Sequence, residues 1–165
     1  GGFGKTASEV EYQSANGRFG FLGSPATKTM NTSQDNAFKL YNLDIGLLAA
    51  QNQLDASTLL EGNRIFTEYK GALAEQYVLQ QLIATQDQPV YYWATEKGTA
   101  EVDFVLQRGQ SVIPIEVKAE ENLKAKSLKT YVEQYQPPQA IRYSMADYRE
   151  QDWMVNVPLH AVQQF

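Results

Sequence analysis

The stretch EVDFVLQRGQSVIPIEVKAE, residues 101–120, constrains this chain more than any other. Two runs rich in Val and Ile, each alternating between apolar and polar residues, flank Gly109-Gln110. That is the pattern of a β-hairpin closed by a two-residue turn. With the turn centred there, Asp103 falls opposite Glu116, and Glu101 opposite Lys118. Strand side chains alternate between faces. One face then carries Ala100, Val102, Phe104 and Leu106 against Ile113, Ile115, Val117 and Ala119, all apolar and all core. The other carries Glu101, Asp103 and Val105 against Pro114, Glu116 and Lys118. Two readings of that second face stay open. It is the solvated side of an antiparallel sheet, or it is a site. Two carboxylates set directly across a ladder repel each other, and a bound cation would remove that penalty.

The segment before the hairpin bears on the choice. Residues 64–85 contain no Pro and are rich in Ala, Leu, Glu and Gln, which predicts a long helix. At the helical period Gly71, Ala72, Glu75, Val78, Leu79 and Leu82 share one stripe. Gly71 and Ala72 would let the helix approach a sheet closely, and Glu75 is the charge at the stripe's centre. A carboxylate inside an apolar stripe calls for a partner, because its desolvation is costly. That partner is either a Lys or Arg, or a shared cation. Glu75, Asp103 and Glu116 together are hard oxygen donors of the kind that suit Mg²⁺ or Mn²⁺. Lys118 beside them is suited to stabilise charge developing on a phosphoryl group.

The remaining elements follow in order. Residues 1–37 are rich in Gly, Ser, Thr and Asn and read as a mostly loop-like segment, with a short strand near 19–22. Residues 38–165 read as one domain. A short strand ending near Leu43 leads into a helix that Asp44 is placed to cap, and DASTLLEG adds a further helical turn. Strands are predicted at 90–95, 100–107 and 111–119. A second helix follows in LKAKSLKTYVEQY, stopped by Pro137-Pro138. A fourth strand falls at 140–144, and a strand or strand-plus-helix at 153–162. The order α-β-β-β-α-β predicts a single α/β (α+β) domain with one mixed central sheet and helices packed on it.

Whole-chain properties narrow the classes. The 165 residues suffice for one cored domain, and no apolar run approaches a bilayer span, so no membrane partner is expected. There is no signal-peptide pattern and no cysteine, which excludes disulfides and thiolate metal sites and is compatible with a cytoplasmic protein. A net charge of -5 means that any nucleic-acid contact needs a local basic patch. Lys124, Lys126 and Lys129, with Arg142, are the candidates, against the alternative of a solvated helix end. Tyr91, Tyr92 and Trp93 are able to stack on bases, but on a strand they read first as packing residues. GGFGKT lacks the spacing of a phosphate-binding loop, so no ATP site is expected. His160 is a single histidine and assembles no catalytic triad.

Asp103 followed by Glu116-Val117-Lys118 resembles the PD-(D/E)xK motif of the restriction-endonuclease-like superfamily. Glu75 on the preceding helix and the α-β-β-β-α-β order resemble that superfamily's additional acid and common core. More closely, AFKLYNLDIGLLAA, KGALAEQYVLQQL, YYWATEKGTAEVDFVL and IPIEVKAEE resemble an uncharacterised domain at the C-terminus of bacterial and archaeal AAA-type ATPases, usually placed in the same superfamily. The resemblance covers about residues 37–144. It implies Asp103 and Glu116 as metal ligands, Lys118 as the catalytic lysine and Glu75 as a further ligand or water-orienting group. It implies Mg²⁺ or Mn²⁺ as cofactor, DNA phosphodiesters as substrate, and a parent with an ATPase module that a chain this short does not include. The motif's leading Pro is absent, since Val102 precedes Asp103. The alternative is a non-catalytic nucleic-acid or protein-interaction module that keeps the nuclease fold.

Overall fold

A computed structural model describes residues 11–14, 17–22, 39, 41–42, 44–51, 64–85, 89–95, 99–119 and 125–164. Among these, eight strands form one mixed sheet in the order β1-β2-β3-β4-β5-β6-β8-β7. They are β1 (Glu11–Ser14), β2 (Gly17–Leu22), β3 (Val90–Ala94), β4 (Glu101–Arg108), β5 (Ser111–Lys118), β6 (Ile141–Ser144), β7 (Arg149–Glu150) and β8 (Val155–Pro158). The helices are α1 (Ile45–Gln51), α2 (Arg64–Thr85) and α3 (Lys126–Tyr135), with a final 3₁₀ helix at Leu159–Gln164. The domain is therefore α/β, and α2-β3-β4-β5-α3-β6 follow one another in the anticipated order. Strands β1 to β5 pair antiparallel. Strands β5, β6 and β8 run parallel, and α3 is the crossover between β5 and β6. The N-terminal segment, expected to be mostly loop, supplies two strands to one edge of the sheet. GGFGKT and DASTLLEG lie outside the described residues, and no strand precedes α1 among residues 39, 41 and 42.

Local chemistry accounts for the boundaries. Asp44 caps α1: its Oδ1 accepts from Leu47 N–H at 2.9 Å, satisfying a donor that the first turn leaves free. Helix α3 ends where Gln136 turns left-handed, at φ 46°, and its N–H closes on the Val132 carbonyl at 2.9 Å before the two prolines. The β4–β5 turn puts Gly109 at φ 62°, a value that Gly adopts without steric cost.

Helices cover both sides of the sheet. Beneath α2, Ala74, Val78, Leu79 and Leu82 pack on Phe104, Leu106, Ile113, Ile115 and Val117. On the other side Leu128 and Tyr131 of α3 pack with Trp93, Val102 and Val105. Neither hairpin face is therefore solvated: Val105, Pro114 and Glu116 are buried along with the expected core residues. The buried stripe of α2 is rotated from the one predicted. Gly71 and Ala72 are exposed, and a Cβ at Gly71 would meet nothing within 4 Å, so that glycine serves no close approach. The anticipated hairpin faces also need correction. Against β3, β4 uses one extra residue between Val102 and Val105, a β-bulge that reverses the alternation. Val102 thereby joins the α3-side cluster, while Phe104 faces α2. The bulge falls at Asp103-Phe104. Trp93 and Tyr92 are core residues, and Trp93 meets Tyr131 edge-on at 5.2 Å, so base stacking is not open to either.

Candidate active site

The bulge and the end of a ladder create the site. Registered β4–β5 pairs run from Arg108–Ser111 to Phe104–Ile115, as the turn position predicts. One step further, strict pairing would set Asp103 squarely across from Glu116. Instead Asp103 Oδ2 accepts the backbone N–H of Val117 at 2.7 Å, the peptide between Glu116 and Lys118. Asp103 is thus tied to the Glu-x-Lys segment by its carboxylate. Asp103 and Glu116 are 9% and 4% exposed, too buried for the wet face of a hairpin.

Each acid is held above the usual carboxylate range. Burial is the largest cause for all three. For Glu116 the Asp103 charge adds to it, opposed by Lys118. For Glu75 Asp103 again adds to it, opposed by Lys39 and the Tyr41 hydroxyl. For Asp103 the opposing groups are Lys39, then the Val117 N–H and Lys118. The Asp103 charge acts on both Glu75 and Glu116, and Glu75 acts on Glu116, so the three form one electrostatic unit. Glu116 Oε1 pairs with Lys118 Nζ at 2.6 Å, along one strand rather than across the hairpin. Glu116 Oε2 is buried and has no hydrogen-bond partner.

Lys39 was not foreseen and is central. Its ammonium meets Glu101, stands 3.5 Å from Asp103 Oδ1 and 3.8 Å from Glu75 Oε2, and lies 5.8 Å above the Tyr92 ring. Glu101, expected opposite Lys118, is committed to Lys39 instead. Tyr41 follows two residues later and donates its hydroxyl to Glu75 Oε2 at 3.1 Å. Gln76 fixes this segment. Its buried amide accepts from Asn42 N–H and donates to the Asn42 carbonyl, both at 2.9 Å. Lys39, Tyr41, Ala72 and Glu75 line a cavity of about 240 Å³ against α2. The Lys-x-Tyr spacing, which points both side chains one way in extended chain, was the available signal for Lys39.

Arg142, anticipated as part of a basic surface, is 1% exposed. It lies beside Glu116 in the β5–β6 register and donates from Nε to Asn156 Oδ1 at 2.9 Å. Lys126 and Lys129 lie exposed on α3, and Lys129 stands 3.8 Å from Glu133. Among the described residues no ion pair joins either of them to the acids. Lys124 lies outside the described residues, and His160 is exposed on the 3₁₀ helix.

As a donor set, Asp103, Glu116 and Glu75 offer only carboxylate oxygen, and the buried unclaimed Oε2 of Glu116 suits a hard divalent cation in kind. In the present arrangement no group of three or more such side chains among the described residues is set to hold a metal. The cation standing between Glu75 and Asp103 is the Lys39 ammonium. No helix among the described residues is long and apolar enough to cross a membrane.

None of the curated proteins matches the chain. The profile of one family matches residues 70–162, which takes in most of α2, the acid-bearing hairpin, α3 and the strands after it. The chain belongs to the family described as Domain of unknown function (DUF4143).

Proposed function

We propose that this domain is a PD-(D/E)xK nuclease-like module, built on a restriction-endonuclease-like core, that hydrolyses DNA phosphodiesters with Mg²⁺ or Mn²⁺. In this reading it serves as the C-terminal part of an ATPase-type protein. One observation carries the reading. Two buried carboxylates, Asp103 and Glu116, are fixed beside a half-buried lysine through the Asp103–Val117 hydrogen bond, and Glu116 keeps one oxygen unclaimed. Desolvated acids held above their usual range are costly to fold around and recur at functional sites.

Asp103 and Glu116 would hold the ion, with Glu75 as a further ligand or a group that orients water. Bound there, a divalent ion supplies Lewis acidity toward a phosphoryl oxygen. The chain's own residues do the rest. The Val117 N–H holds Asp103 Oδ2, so that Oδ1, which now faces the Lys39 ammonium, is the oxygen that would meet a cation. Lys118, 35% exposed at its side chain, carries an ammonium with donors to spare beyond Glu116, and it stabilises charge that develops on the phosphate. Lys124, Lys126 and Lys129 would contact the nucleic-acid backbone.

A second reading is favoured by Lys39. With an ammonium between Asp103 and Glu75, the fold suits a non-catalytic interaction module that needs no metal. Calorimetric titration with Mn²⁺ separates the two. The nuclease reading expects binding by the wild type that Asp103→Asn removes. Absence of binding at millimolar Mn²⁺ in the wild type favours the interaction module.

A further inference from the structure

Lys39 has the position a metal's competitor would have. Its ammonium is shared among Glu75, Glu101 and Asp103 and lies 5.8 Å above the Tyr92 ring. The side chain is only 19% exposed. The segment that carries it is clamped at Asn42 by two hydrogen bonds exchanged with Gln76, while Tyr41 donates to Glu75. This is a built arrangement rather than a surface lysine that has drifted onto acids. A second observation points to a cation that the lysine does not replace. Glu116, 4% exposed, keeps Oε2 without a partner, in the same electrostatic unit as Asp103 and Glu75.

We infer that Lys39 is a tethered counter-ion that holds the Glu75–Asp103 cation position in the metal-free protein and must swing away for a divalent ion to load. The inference rests on the metal-dependent reading of the site and adds a gate to it. For an ion to load, the Nζ has to leave Asp103 and Glu75, and Glu101, an exposed acid at the start of β4, is the partner it can keep. The reason for such a lysine is physical. Glu75 and Asp103 stand close enough to share one ammonium, and two like charges so placed repel unless a cation stands between them.

The test uses Mn²⁺ as the probe, read by calorimetry and by electron paramagnetic resonance of free Mn²⁺. Lys39→Met keeps an unbranched side chain and removes the charge, and Lys39→Arg keeps the charge. Lys39→Met is expected to bind Mn²⁺ about tenfold more tightly or better than wild type, because a repelling charge leaves the ion's side. Lys39→Arg is expected to bind no more tightly than wild type. The double variant Lys39→Met, Asp103→Asn is expected to lose the gain. If Lys39→Met fails to fold, amine-reactive labelling of the wild type replaces it, with Lys39 expected to label faster at saturating Mg²⁺ than without it. Equal Mn²⁺ affinity for wild type and Lys39→Met, or Lys39 labelling indifferent to Mg²⁺, overturns the inference while leaving the metal site standing. Absence of binding by both wild type and Lys39→Met overturns the inference and the metal-dependent reading together.

Discussion

Replacing Asp103 in two ways separates the two jobs of its carboxylate. Oδ2 accepts the buried Val117 N–H at 2.7 Å, and Oδ1 faces the Lys39 ammonium at 3.5 Å. Asp103→Asn keeps an oxygen for the Val117 N–H and deletes the charge. The charge itself is not a stabilising one, since burial holds the Asp103 carboxyl above its ordinary value despite Lys39. Lys39 retains Glu75 and Glu101 after the change. Asp103→Asn is therefore expected to leave stability unchanged or to raise it, because it removes a buried charge and keeps the acceptor. Asp103→Ala removes the acceptor and leaves a buried N–H unsatisfied, at a cost of about 1–3 kcal/mol. Urea unfolding of the metal-free protein at neutral pH measures both. Equal losses for Asn and Ala would refute the reasoning, because they would make the charge, and not the hydrogen bond, the structural element.

The other predictions follow the same division between packing and chemistry. Val117→Ala, at a core position 5% exposed, is expected to cost about 1–3 kcal/mol. Glu116→Gln is expected to leave the metal-free protein unchanged or more stable, because it relieves a buried charge; the same urea series compares them. Raised folded pKa values on Glu75, Asp103 and Glu116 mean that the folded state binds more protons than the unfolded one above their ordinary values of 4.5, 3.8 and 4.5. Stability is then expected to rise as pH falls from neutral toward 4.5, the three carboxyls being protonated in the folded state first. A wild-type profile that falls over that window, or one that Glu116→Gln fails to flatten, contradicts this. Gln76→Ala leaves the Asn42 N–H and carbonyl without their side-chain partner. It is expected to cost about 2 kcal/mol or more and to speed amide exchange at Asn42, read by hydrogen exchange.

What was legible in the sequence and what was not differ by range. The turn at Gly109, the cap at Asp44 and the extent of α2 follow from residues within a few positions of one another, and each is found. The bulge at Asp103-Phe104 has no such mark. It is set by β3, whose residues pair with β4 one out of step, and no Gly announces it. It moves Val102 to the other face and turns the Asp103 carboxylate onto a peptide N–H. Lys39 was missed because the residues it answers to lie far along the chain, on α2 and β4. Gly71 and Ala72 misled because the apolar stripe of α2 is carried by Ala74, Val78 and Leu82, and the residues one turn earlier lie in solvent. Arg142 reads as basic surface from composition alone, and only the β5–β6–β8 pairing shows that it is enclosed. The hairpin pattern brings Asp103, Glu116 and Lys118 near one another in the sequence reading, but the bulge and the Asp103–Val117 hydrogen bond, rather than strict cross-strand pairing, set how they stand.

We propose that Asp103, Glu116 and Lys118 make one phosphodiester-hydrolysing site, and digestion of plasmid and single-stranded DNA with Mg²⁺ or Mn²⁺, by extensively purified wild type, Lys118→Ala and Asp103→Asn, puts that to the test. Cleavage by the wild type is expected, with a loss of about 10²–10³ in rate for Lys118→Ala, the scale for removing one preorganised donor. Lys118→Ala is also expected to keep most Mn²⁺ affinity, while Asp103→Asn loses both cleavage and Mn²⁺. Cleavage that persists in both variants would place the activity elsewhere, and a wild type that neither cleaves nor binds Mn²⁺ would contradict the claim outright.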